Sequence, residues 1–237
     1  MKRYLRALST SFALATFMAA VATAQTAGPA ARPEQPPRPP KSITPKEPVG
    51  AQPDLGTIQN SVYTNDYFRL RIPVPAGWNI HDEASKRRLM QSGNEELSAS
   101  KPEMAGKLDK SLQRTLNLLA LDNLTIPSTG GGSAALLIGA EPIPRGQTLT
   151  VAQYMETTKR LVMSVPGYEM VEEIHTETIG GAECSAMTLK RNLAGVTMKQ
   201  KYIGIIRKGY ALFFVTAYTN EDAGRTLDDI LKGSRLN

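Results

Sequence analysis

Apolar and polar positions along residues 55–237 follow two periods, and these predict strands and helices in a definite order. Residues 67–72 alternate apolar and basic, with Phe68, Leu70 and Ile72 set between Tyr67, Arg69 and Arg71, the period of a half-buried strand. Pro73, Pro75 and Gly77 stop it, and Trp78 follows. Residues 115–121 and 134–140 are apolar runs that read as two buried strands, and Gly130, Gly131 and Gly132 between them read as a long hairpin loop. Residues 168–178 and 183–191 are joined by Gly180 and Gly181. Residues 192–195 lead into a strand at 196–206, and Lys208 and Gly209 turn it into another at 210–218. Such short turns predict a four-stranded antiparallel meander.

The helical period appears in three places. Residues 83–114 are polar and rich in Lys, Glu and Ser, and Lys101 and Pro102 break them into two weak helices. Residues 150–165 make a better helix. Thr150 and Gln153 form a capping box, and Leu149 can staple onto Tyr154. Val151, Tyr154, Met155, Thr158, Leu161 and Val162 then share the face that lies on a sheet. Asn220 can cap a last helix whose Glu221 and Asp222 suit the positive end of its dipole. Leu227, Ile230 and Leu231 are its buried stripe. The order is strand, helices, hairpin, helix, meander, helix. That predicts an α+β domain: a single antiparallel β-sheet with packed helices, not a doubly wound parallel fold.

The segments ahead of this domain change the reading of the whole composition. Lys2, Arg3 and Arg6 precede an apolar stretch over 7–21, and Ala22, Thr23 and Ala24 supply small residues at the cleavage positions. Residues 1–24 therefore read as a secretory signal peptide cut before Gln25, the alternative being an uncleaved anchor. The apolar stretch is shorter than the roughly 20 residues that span a bilayer. Residues 25–54 hold nine of the sixteen prolines and few apolar residues other than Ala, so they read as an extended, disordered spacer. The remaining 183 residues are enough to bury roughly 70% of their unfolded surface without staples. The formal net charge of +6 falls to +3 without Lys2, Arg3 and Arg6, and the spacer takes a further +1. The domain itself is close to neutral. One cysteine excludes an intramolecular disulfide, and no cysteine lies near the cut to take a lipid anchor. The expected location is periplasmic or secreted, with no transmembrane segment in the mature chain.

Asn65, Asp66, Tyr67, Phe68, Leu70, Ile72, Pro73, Pro75, Gly77 and Trp78 together look like the opening of PsbP-like domains. The ending is similar too: a Gly-turn hairpin, a strand with Gln200 and Tyr202, the run Gly209, Tyr210, Ala211, Leu212, Phe213 and Phe214, and a closing helix. Over residues 58–237 the chain resembles the Mog/PsbP/DcrB-like superfamily. That resemblance implies an α-β-α sandwich and an exported bacterial member that binds or stabilises a partner. It implies no catalytic motif and no cofactor.

Candidate chemistry is sparse. Glu173, His175 and Glu177 alternate on one strand and would face one side about 7 Å apart per step. That is too extended for all three to reach one metal ion, so the alternative is a solvated strand face. His81 and Asp82 adjoin at a loop, where Asp82 can instead cap the next helix. Cys184 reads as a small core thiol, without a base placed beside it. The glycines at 130–132 lack the Lys-Ser/Thr of a P-loop, and no serine sits in a G-x-S-x-G elbow. Lys190, Arg191, Lys199, Lys201, Arg207 and Lys208 cluster at hairpin ends of the meander as a candidate basic binding patch, or as edge lysines that protect a sheet. An exported chain with few interleaved aromatics is not a nucleic-acid binder. The expectation is a monomeric, non-enzymatic binding or accessory protein whose partner is another envelope protein or an anionic surface. A periplasmic hydrolase, or a metal- or ligand-binding module, using His81 or Glu173 and His175 is the alternative.

Overall fold

In the computed structural model the described residues are 53–124, 132–144, 146–193 and 195–236. The signal peptide, nearly all of the spacer, and Gly130 and Gly131 of the hairpin loop lie outside them. The elements run β1 (Thr57–Gln59), β2 (Val62–Asn65), β3 (Leu70–Pro73), β4 (Asn79–Ile80), α1 (Glu83–Ser100), a 3-10 turn (Pro102–Met104) and α2 (Ala105–Arg114). They continue β5 (Leu116–Asn123), β6 (Ala134–Pro142), α3 (Val151–Val162), β7 (Tyr168–Ile179), β8 (Ala182–Leu193), β9 (Val196–Arg207), β10 (Tyr210–Tyr218), α4 (Glu221–Gly233) and β11 (Arg235–Leu236).

The seven-stranded sheet has the order β4-β5-β6-β10-β9-β8-β7, antiparallel throughout. The meander expected from the turns is its right half. Lys208 and Gly209 both take positive φ, 49° and 75°, as a two-residue hairpin turn requires. β10 lies in the middle and is buried on both faces, which is why it reads as an unbroken apolar run. Leu212 and Phe214 point into one core, and Ala211, Phe213 and Val215 into the other. Phe213 stands opposite Gly139 of β6 and Gly204 of β9. A Cβ on Gly139 would lie 2.3 Å from the Phe213 ring, so the glycine makes room for the aromatic.

The helices cover both faces. α1, α2 and α3 pack over the core around Met90, Leu108, Tyr154, Met155, Tyr202 and Phe213. The capping box of Thr150 and Gln153 is formed, and Asp82 caps α1 by accepting from the Ser85 N–H at 2.7 Å. α4, capped by Asn220, covers the other face with Leu227, Ile230 and Leu231. The ammonium of buried Lys86 donates to the carbonyls of Asn117 and Leu118 at 2.9 and 3.3 Å, where a bulge in β5 frees them from the ladder.

Two features differ from the pattern read in the sequence. The expected single sheet is accompanied by a second, four-stranded antiparallel sheet, β1-β2-β3-β11. Its strands have two to four residues each, too short to leave a periodic signal. The strand expected over 67–72 begins only at Leu70. Residues 66–69 instead form a turn: the Asn65 carboxamide oxygen accepts from the Phe68 N–H at 2.8 Å, and Arg69 takes φ 55°.

Candidate functional site

The face of the large sheet beside α4 carries two cross-strand rows that follow from register alone. Glu169, Lys190, Lys199 and Tyr218 lie opposite one another on β7, β8, β9 and β10, and the next row is Glu172, Thr188, Lys201 and Thr216. With Gly224, Leu227 and Asp228 of α4 as the other wall, residues of these rows line a groove of about 170 Å³. Gly224 is small for a reason: a Cβ there would stand 2.8 Å from the Tyr218 ring. The floor is polar where a sheet face is usually apolar. Thr188 and Thr216 are buried, and the Thr188 hydroxyl donates to Glu172 at 2.6 Å.

The lysines of the two rows are paired, and Lys199 and Lys201 are the ones that line the groove. Lys190 meets Glu169 at 2.9 Å, Lys199 meets Glu221 of α4 at 2.7 Å, and Lys201 reaches both oxygens of Glu177 at 2.7 and 2.8 Å. The hydrogen bond from Lys199 lowers the Glu221 pKa and raises that of the lysine. These three lysines share one face. The other members of the predicted cluster do not join them. Arg191 points to the opposite face, 5.2 Å above the Tyr168 ring and 2.6 Å from Glu96 of α1. Burial pushes the Tyr168 phenol up to about 12, against the pull of the Arg191 charge. Arg207 lies about 26 Å along β9 from Lys199 at strand rise. It donates to the carbonyls of Phe68 and Leu236 at 2.9 and 2.6 Å and so holds the β2–β3 turn to β11. Lys208 sits 4.7 Å above the Tyr67 ring.

Of the three acid–histidine candidates on β7, Glu173 is set apart from His175 and Glu177. Register irregularities on either side of Glu172 bend this edge strand. Glu173 pairs with Lys159 of α3 at 2.5 Å, while His175 faces Glu177 at 3.7 Å. The expectation that Glu173, His175 and Glu177 face one side is therefore corrected by the bulges. Among the described residues no three His, Cys, Asp or Glu side chains come together as a metal site.

His81 turns away from Asp82 and pairs through Nε2 with Asp122 of β5, a residue with no sequence signal because it lies 41 positions on. Asn79 donates to the other Asp122 oxygen at 2.7 Å. Burial alone would raise the Asp122 pKa, and these two hydrogen bonds together bring it below the ordinary carboxylate value. The crevice beside the pair, about 30 Å³, is otherwise lined by Leu, Ala and Val side chains. Among the described residues that line it there is no hydroxyl, thiol or amine. Cys184 is buried, and burial pushes its thiol up to about 11, which leaves it without thiolate character.

A second small cavity, about 70 Å³, opens between Ser111, Arg114, Glu141, Gln147, Leu149 and Tyr154. Ser111 donates to Glu141 there, and the Tyr154 hydroxyl is buried without a hydrogen-bond partner among the described residues.

Fold and site together define an α+β sandwich with a polar groove between α4 and the large sheet. No protein-family model matches the chain, and no curated protein matches it in sequence. Solved structures similar to it include cyanobacterial PsbP from Synechocystis, with a TM-score of 0.43 and 14% identity over 80% of this chain and 99% of that one. Another is LpqN of Mycobacterium tuberculosis, described as involved in cell envelope biogenesis, with a TM-score of 0.42 and 14% identity over 70% of this chain and 82% of that one. A Pseudomonas aeruginosa protein titled PA94, a putative regulator of unknown function, gives a TM-score of 0.35 and 12% identity over 43% of this chain and 71% of that one. No helix among the described residues is long and apolar enough to cross a membrane.

Proposed function

We propose that this chain is an exported, non-enzymatic accessory protein of the bacterial envelope that binds another envelope component in the groove between α4 and strands β7 to β10. The observation behind this reading is the pair of polar cross-strand rows. Two buried threonines, Tyr218 and two ordered lysines line a sheet face that α4 leaves open. Polar groups fixed in a concave floor orient a ligand without reacting with it. Export is supported by the basic start, the apolar stretch over 7–21 and the Ala22-x-Ala24 site. Of the six basic residues in the meander, Lys199 and Lys201 are the ones this reading assigns to binding.

The test is capture from periplasmic extract by wild type and by a Lys199→Gln/Lys201→Gln double variant. Glutamine is preferable to glutamate, because a new carboxylate would stand beside Glu221 and Glu177 and strain the fold. Wild type should enrich a defined component that the folded double variant loses, with thermal melting run on both. Equal enrichment by a variant that melts like wild type would overturn the groove assignment.

A further inference from the structure

The four-stranded sheet presents its own outward face, and its chemistry differs from that of the groove. In register, Thr57 of β1 opposes Thr64 of β2, Thr64 opposes Arg71 of β3, and Arg71 opposes Arg235 of β11. Strands are about 4.8 Å apart, so this row is roughly 14 Å long. The alternate positions Tyr63, Ile72 and Leu236 are buried beneath it, which fixes the row as outward. Arg71 and Arg235 are both exposed. Arg69, also exposed, extends the row into the β2–β3 turn at φ 55°.

These arginines stand in contrast to the lysines of the groove, each of which has a carboxylate. None of Arg69, Arg71 or Arg235 forms an ion pair among the described residues. The acid nearest in sequence to Arg69 and Arg71 is Asp66 and that nearest to Arg235 is Asp229, while Asp54 lies just ahead of β1. Asp54 accepts from the Gly56 N–H at 2.8 Å, and Asp66 lies in the turn. Two like charges directly opposite on adjacent strands repel, at a cost in stability. Such a pair is relieved by an anion that takes both guanidinium forks at once, as a phosphate does.

We infer that this face docks on the phosphate headgroups of an anionic lipid bilayer. Three observations favour a bilayer. Thr57, Arg69, Arg71 and Arg235 are all exposed and none lines the groove or the two cavities described above, so these cations meet a surface of anions rather than a ligand held in a pocket. Gln59, Val62 and Pro73 make up its next row, and no aromatic side chain stands among them to anchor a specific protein interface. Finally, the chain enters β1 through Asp54 and Leu55, so the segment 25–52, with Arg32, Arg38, Lys41 and Lys46, joins the domain at the edge of this sheet. By sequence that segment carries four basic residues against Glu34 and Glu47, a net +2 on the stretch that leads into β1. The inference is independent of the groove reading and uses none of its residues.

The test uses residues 25–237, since every described element begins at Thr57 or later. Co-sedimentation is measured with vesicles of phosphatidylcholine alone and with vesicles of phosphatidylcholine and phosphatidylglycerol in equal parts. Wild type should bind the anionic vesicles, release them as salt rises, and leave neutral vesicles unbound. Arg71→Gln/Arg235→Gln should weaken the partition about 30-fold, from the known contribution of each basic residue near an anionic surface. Lys107→Gln/Lys110→Gln, at exposed positions of α2, removes the same formal charge and should bind like wild type. Equal weakening by both double variants would reduce the effect to net charge and overturn the inference. So would undiminished binding by the arginine variant, equal binding to neutral vesicles, or no binding to anionic vesicles. The last result transfers the face to an acidic protein partner. The exposed arginines hold no ion-pair partner among the described residues, so a melting curve matching wild type certifies the variant.

Discussion

Replacing Tyr154 by Phe should make this protein more stable. Tyr154 lies on the inner face of α3 with none of its surface exposed, and its hydroxyl has no hydrogen-bond partner among the described residues. Burial first, and then the nearby Glu141 carboxylate, push its pKa well above the ordinary phenol value, so the group remains a neutral O–H. Burying such a hydroxyl without a partner costs about 1–3 kcal/mol on mutational scales. Phe keeps the ring that packs with Met155, Tyr202 and Phe213, and its helix propensity is close to that of Tyr. The net gain is then about 1–2 kcal/mol. In a domain of this size each 1 kcal/mol moves Tm by about 2–4 °C, so the rise is about 2–8 °C. Calorimetry and urea unfolding measure it, with an unchanged urea slope as the sign that only stability moved. Tyr154→Ala supplies the contrast, a loss of about 3–5 kcal/mol from removing the ring. A lower Tm for Tyr154→Phe would refute the reasoning, because it would mean that the hydroxyl is hydrogen-bonded in solution.

Further outcomes follow from other buried groups. Gln200 is fully buried, and its carboxamide oxygen accepts from the Tyr168 and Tyr202 hydroxyls at 2.8 and 3.0 Å, so Gln200→Leu should cost about 2–4 kcal/mol in urea unfolding. An unshifted midpoint would contradict that network. Asp122 has a folded pKa below its unfolded one, so its contribution is complete above the unfolded value near 4 and vanishes as pH falls through the folded value. Asp122→Asn should therefore lower stability at neutral pH and flatten the acid limb of a stability–pH curve, and an unchanged limb would remove Asp122 from the account. Cys184, buried with its pKa pushed up to about 11, should resist a thiol reagent at mildly alkaline pH until urea unfolds the chain. Prompt native labelling would show that strands β7 and β8 open.

The periodic parts of the fold were legible because burial is regular there. β10 matches the run 210–218, and the caps at Thr150 and Asn220 sit where side-chain oxygens can accept the first free N–H groups. The small sheet was hidden because two- to four-residue strands leave no period, and β11 follows α4 after one residue. The bulges in β7 were hidden for a different reason. Alternation in the sequence assumes an unbroken ladder, and two register shifts moved Glu173 away from His175. His81 shows the same limit across distance. Its neighbour Asp82 is spent on a cap, and the carboxylate that holds it arrives from another strand.

Charge was the least legible property, because proximity in sequence and proximity across a sheet differ. Lys190 and Arg191 adjoin in the chain but point to opposite faces, whereas Lys190 and Lys199 stand directly opposite each other. The meander looked basic because its lysines are close in sequence. Their acids, Glu169, Glu177 and Glu221, come from β7 and α4 and neutralise them. Arg71 and Arg235 are 164 positions apart and raised no signal, yet register sets them side by side without a carboxylate. An electrostatic site in an antiparallel sheet is a property of cross-strand rows. A cation cluster counted along one hairpin is as apt to be a satisfied ion-pair lattice as a binding surface, and the unsatisfied charge has to be sought where distant strands meet.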